Sequence, residues 1–137
     1  PFLAMCASPM ATTDLLKMFV DKKEDVLKDK STRLSGPLHV AAWNGQSLNV
    51  VQYLTTLMGY NALMEKTASG TTPLHRAMER QADEDVVKYL VDAEPAALFQ
   101  KDSGSRDAFL LACKYHSAYV VTYLMKQYPS CFQQRYF

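Results

Sequence analysis

The chain carries almost no charge excess. Its 15 Lys and Arg stand against 14 Asp and Glu, for a net charge of +1. The two signs are also mixed, as in DKKEDVLKDK from Asp21 to Lys30. A nucleic-acid binder presents a one-sided basic surface, so no nucleic-acid partner is expected. No apolar run reaches the about 18 residues that a membrane-spanning helix needs, so no membrane insertion is expected either. Only five glycines are present, and none belongs to a phosphate-cradling loop after a strand. No Ser, Cys or carboxylate falls in a recognisable catalytic motif. The expectation is therefore a non-enzyme with no cofactor and no small-molecule ligand. Cysteine is scarce and odd in number: Cys6, Cys113 and Cys131. Neither these nor His39, His75 and His116 stand at metal-ligand spacing. All three cysteines read as free, packed thiols, which suits a reducing, intracellular and cytoplasmic setting. LAMC, at Leu3 to Cys6, has the letters of a lipoprotein cleavage box, but too little apolar chain and no positive segment precede it.

What the chain does have is repetition. VVQYL begins at Val50, VVKYL at Val86 and VVTYL at Val120, at steps of 36 and 34 residues. Upstream of these lie PLHVAAW, PLHRAME and AFLLACK, in which Leu38, Leu74 and Phe109 correspond. Downstream, Leu27, Leu63, Leu98 and Phe132 recur, each followed three residues later by a basic residue: Lys30, Lys66, Lys101 and Arg135. Regular recurrence at this period is the mark of a repeat architecture. The same register exposes an earlier copy, with FLAMC at Phe2 to Cys6 and DLLKMF at Asp14 to Phe19. The expected organisation is one array over 1–137, with units near 1–30, 31–66, 67–101 and 102–135. The first and last are incomplete, as in a piece of a longer array.

Each unit reads as two short helices and a turn. In the third, Thr72 is a natural N-cap and Pro73 a natural first helical residue. Leu74, Ala77 and Met78 then share one helical face, as Val86, Val87 and Leu90 do further on. Helices of two or three turns are marginal alone in water, so they need neighbours. Ala41, Ala42, Ala77, Ala112 and Cys113 are small enough to let adjacent helices approach. Tyr53, Tyr89 and Tyr123 read as packing residues at the edge of the second helix, with a wet hydroxyl.

TTPLHRAM, followed by VVKYL, resembles the ankyrin repeat. In that family's pattern a Gly-x-Thr-Pro-Leu-His-x-Ala-Ala helix precedes a turn and an Ile/Val-Val-x-x-Leu-Leu helix. Gly70, Thr72, Pro73, Leu74, His75 and Ala77 match it, as do Pro37, Leu38, His39, Ala41, Ala42 and Gly45. The resemblance implies an all-α fold, an ankyrin-repeat solenoid of stacked antiparallel helix pairs. There are departures. Gly36 and Asp107 replace the family's Thr, and Leu110 replaces its His. The Thr–His hydrogen bond typical of the family can then form in full only in the third unit, and the fourth unit should be less regular. One residue more separates the two helices in the second and third units than in the fourth.

What the resemblance implies for function is binding of a protein or peptide on the concave face. The variable residues after the Ala-Ala pair are Trp43 and Asn44, Glu79 and Arg80, and Lys114 and Tyr115. The hairpin tips add Thr32, Arg33, Ala68, Ser69, Ser103 and Gly104. Trp, Arg and Tyr are the types enriched at binding hot spots. The alternative is an intramolecular structural or regulatory segment of a larger membrane channel or enzyme.

Overall fold

The computed structural model describes residues 2–22, 36–129 and 132–133. Within them the chain forms α1 (Phe2–Ala7), α2 (Thr13–Lys22), α3 (Pro37–Trp43), α4 (Leu48–Met58), α5 (Pro73–Glu79), α6 (Glu84–Ala93), α7 (Ala108–Tyr115) and α8 (Ala118–Gln127). Short 3-10 helices, Tyr60–Met64 and Pro95–Phe99, follow α4 and α6. Among the described residues there is no strand, only an isolated antiparallel bridge between Lys101 and Asp107. No helix among them is long and apolar enough to cross a membrane.

The repeated letters line the core. Leu38, Leu74 and Phe109 are buried, as are Val50, Val86 and Val120, Leu54, Leu90 and Leu124, and Leu63, Leu98 and Phe132. The odd-numbered helices stack on one another, α3 between α1 and α5, and α5 against α7. Ala41, Ala77 and Ala112 have no exposed surface at all, because the small side chain is what allows the helices to close on each other. A second layer forms where α4 packs against α2 and α6. Gln46 ties the first helix pair to the second, its Nε2 donating to the carbonyls of Cys6 at 2.8 Å and Ser8 at 2.7 Å.

Each of the repeat-pattern histidines, His39 and His75, joins its unit to the next. The N–H groups of Gly36 and Thr72 donate to Nδ1 of His39 and His75, at 3.3 and 3.2 Å. The ring proton therefore sits on Nε2, which donates to the carbonyl of Thr71 at 3.0 Å and of Arg106 at 3.1 Å. Only in the third unit does a threonine hydroxyl also reach the ring, Thr72 Oγ1 lying 2.9 Å from Nδ1. In the fourth, Asp107 Oδ1 takes over as N-cap, accepting from the Leu110 N–H at 2.8 Å. The helix start is thus regular there, and the irregularity falls in the connector. Gly45 and Gln81 turn the chain with φ of +68° and +53°, whereas His116, one residue short of that turn, is extended at φ −99°.

One expectation fails. Cys113 is exposed, not packed. Leu110 and Met125 beside it on the end face are 45% and 42% exposed, although the residues at their register positions one unit earlier, His75 and Val91, are fully buried. Met78, the counterpart of Cys113, is likewise buried. The cause is position: among the described residues no helix packs on this side of α7 and α8. Cys6 does pack in the core, and burial pushes its thiol up to about 12. Cys131 lies outside the described residues.

Candidate partner-binding surface

Two hairpins stand ahead of α5 and α7. In the first, the Thr67 N–H donates to Thr71 O at 2.9 Å; in the second, the Asp102 N–H donates to Arg106 O at 2.9 Å. The tips are laced together by the Ser103 N–H, which donates to Ser69 O at 3.0 Å. Gly70 makes that approach possible. Its φ is +76°, and a Cβ there would lie 3.1 Å from the Ser103 nitrogen and 3.2 Å from the Asp102 Cα.

Asp102 anchors the second hairpin. Its Oδ1 accepts from the N–H groups of Gly104 and Arg106, both at 2.9 Å, and its Oδ2 accepts from Arg106 Nε at 3.0 Å and Nη2 at 2.7 Å. Burial works to raise this carboxyl, but the hydrogen bonds from the Arg106 backbone and guanidinium, with that from Gly104, outweigh it and hold the group below the ordinary aspartate value.

Between the hairpins and the inner helices lies an open groove of about 390 Å³. Trp43, at the last turn of α3, forms one wall and is 38% exposed. Two guanidiniums lie on its ring, Arg76 at 5.0 Å and Arg80 at 4.6 Å from the centroid. Arg76 stands on α5 and Arg80 is the C-cap residue of that helix, one turn on, so they share a face. Arg80 Nε also donates to the Trp43 carbonyl at 3.2 Å. Glu79 sits deeper, paired with Arg76 at 3.5 Å and with Arg106 at 3.4 Å.

Of the residues singled out in the sequence, Trp43, Ser69, Glu79, Arg80, Ser103 and Tyr115 line this groove. The other described ones stand outside its lining. Asn44 caps α3, its Nδ2 donating to Val40 O at 2.8 Å. Lys114 Nζ lies 5.1 Å over the Tyr115 ring. Ala68 is exposed at its hairpin tip, and the Gly104 N–H is spent on Asp102. Thr32 and Arg33 lie outside the described residues. Arg76 and Arg106 were missed, though both line the groove. Arg76 occupies the free position of PLHxA, four residues before Arg80, and that spacing was the signal available for it. Among the described residues no group of His, Cys, Asp and Glu is arranged to hold a metal ion.

A family model described as ankyrin repeats, in three copies, matches residues 38–135. The crystal structure of the yeast ribosomal protein Rps3 in complex with its chaperone Yar1 contains a chain 28% identical to this one, with a TM-score of 0.74 and 85% of each chain covered. None of the curated proteins matches the chain.

Proposed function

The chain belongs to the ankyrin repeat family, whose members generally serve as protein–protein interaction modules, and on that premise we propose that it recognises a protein or peptide through its concave groove. The observation that carries this reading is the pair of guanidiniums on the exposed ring of Trp43. Trp43 is the chain's only tryptophan, and it lies outside the buried core. Aromatic and arginine side chains grouped on a concave solenoid face are the usual anchors of an interface. The solved relative is a chaperone in complex with a ribosomal protein, so a protein of this architecture meets a protein partner. Binding is the whole of the activity, and no reaction is assigned. The test is affinity capture with the wild-type chain and with Trp43→Ala, beside a thermal melt of each. Partners lost from a variant that still melts normally support the groove. If Trp43→Ala unfolds the array while its residual folded fraction captures the same partners, Trp43 is a core residue and the reading fails.

A second reading rests on the end face of α7 and α8. Leu110, Cys113 and Met125 are exposed where the counterparts one unit earlier are buried. Such a face suits end-on packing against another folded element of a larger channel or enzyme. Alkylation located by peptide mapping tests it. Cys113 protected in the full-length gene product but reactive in the isolated chain supports this reading, and equal reactivity removes it.

A further inference from the structure

We propose that the groove is selective for an acidic peptide segment, one of whose carboxylates is taken by the outer edge of Arg80. This deepens the groove reading above and rests on it.

Three guanidiniums line the groove, and they differ in what they already hold. Arg106 is committed to Asp102 by two hydrogen bonds and reaches Glu79 as well. Arg76 is paired with Glu79. Arg80 has no carboxylate partner among the described residues. Its Nε is tethered to the Trp43 carbonyl and its guanidinium carbon lies over the Trp43 ring. That tether fixes the guanidinium while leaving its two terminal nitrogens for a ligand. A planar guanidinium held in place loses little freedom on binding, and its fork matches a carboxylate with two parallel hydrogen bonds.

The two acidic groups in the groove do not oppose such a ligand. Glu79 and Asp102 are each neutralised by arginine. Three cations against two anions leave the groove one positive charge in excess, and that charge sits at Arg80, its exposed edge. Trp43 supplies apolar surface beside it. Single-stranded nucleic acid would also meet an arginine and an aromatic ring, but it requires a track of free cations along its backbone. One free guanidinium beside two paired ones suits a single carboxylate better.

Stacked inner helices lie about 10 Å apart, so the path from Trp43 past Arg80 to Tyr115 is crossed by about six extended residues. The probes are capped peptides of about eight residues: alternating Glu and Ala, the Gln–Ala isostere, and the Lys–Ala counterpart, with oligothymidylate beside them. Binding is read by the emission of Trp43 and by anisotropy of the labelled probe. The acidic peptide should bind at least about tenfold tighter than its amide isostere, the ratio expected of a charge-assisted pair. Arg80→Gln should bring that ratio to about twofold or less, Arg80→Lys should retain only part of it, and the melting midpoint should shift only slightly in both. Added salt should weaken the acidic peptide alone.

Equal binding of acidic and amide peptides, with Trp43 still reporting, overturns the acidic preference and leaves the groove reading standing. Stronger binding of the Lys peptide or of oligothymidylate overturns it too, as does no binding by any probe. Acidic binding that leaves Trp43 emission and the Arg80 variants unaffected overturns both the preference and the groove.

Discussion

The guanidinium of Arg80 lies 4.6 Å from the centre of the Trp43 ring, and its Nε–H donates to the Trp43 carbonyl at 3.2 Å. One side chain thus meets both the ring and the backbone of a residue in the preceding unit. Such a contact at an exposed edge adds little to stability, since cation–π pairs there contribute roughly 0.5–1 kcal/mol. Trp43→Ala and Arg80→Ala should each weaken partner binding by about 1–3 kcal/mol, as truncated hot spots do. Calorimetric titration beside a thermal melt separates the effects. A large loss of melting midpoint with intact affinity would assign the pair to folding.

Gly70 and Gly45 both adopt positive φ, at +76° and +68°, but their surroundings differ. A Cβ on Gly45 meets nothing within 4 Å, whereas one on Gly70 meets the backbone of the next hairpin. Gly45→Ala should cost only the left-handed conformation, about 1–2 kcal/mol. Gly70→Ala should cost more, about 2–4 kcal/mol, because Ser103 must also move. Denaturant titration of both variants gives the comparison. Equal losses would mean that the hairpin tips separate without consequence.

Ala77 has no exposed surface, where α5 meets its neighbouring inner helices. Ala77→Leu should overpack that contact and destabilise the array by about 1–3 kcal/mol. An unchanged midpoint would contradict the close stacking of the inner helices.

The histidines make stability depend on pH. Burial lowers the pKa of His39, His75 and His116 below the ordinary 6.5, against the opposing pull of neighbouring carbonyls and carboxylates. Each stays neutral in the fold and takes a proton more readily once unfolded. Below 6.5 the unfolded chain therefore binds more protons. Stability is fully present above that pH and is lost as pH falls through the folded values. Melting midpoints should decline from about pH 7 to about pH 5, the range in which histidine titrates. His75→Gln should lower the midpoint at neutral pH and flatten the decline. An unaltered slope would show that His75 is not among the titrating groups.

The sequence alone determined the period, the helix pairs and the core. Those features follow from local spacing and from letters that recur because each unit must bury the same positions against its neighbours. Leu38, Leu74 and Phe109 could be placed in the core without coordinates for that reason. The reading of Thr72 and His75 succeeded in the same way, since the bond between them spans only three residues.

Tertiary structure decided everything that depends on the adjacent unit. Cys113 looked like Ala42 in register, yet it is exposed, since among the described residues no helix packs over it. The free middle letter of the repeated pentapeptide looked neutral, yet Lys88 lies 4.7 Å over the ring of Tyr123, and Lys17, its counterpart in the first unit, lies 5.8 Å over Tyr53. Tyr123 in turn donates its hydroxyl to Asp92, with 2.9 Å to Oδ2, so that hydroxyl is bound and not merely wet. Arg106 was invisible as a groove residue because nothing in its own segment marks it, and Arg76 was marked only by its spacing from Arg80. Their place follows from Trp43 one unit before and Glu79 between them, contacts across 27 to 33 residues of chain. Local pattern specifies which face of a helix is apolar, whereas the partners of its polar side chains are set only when the units stack.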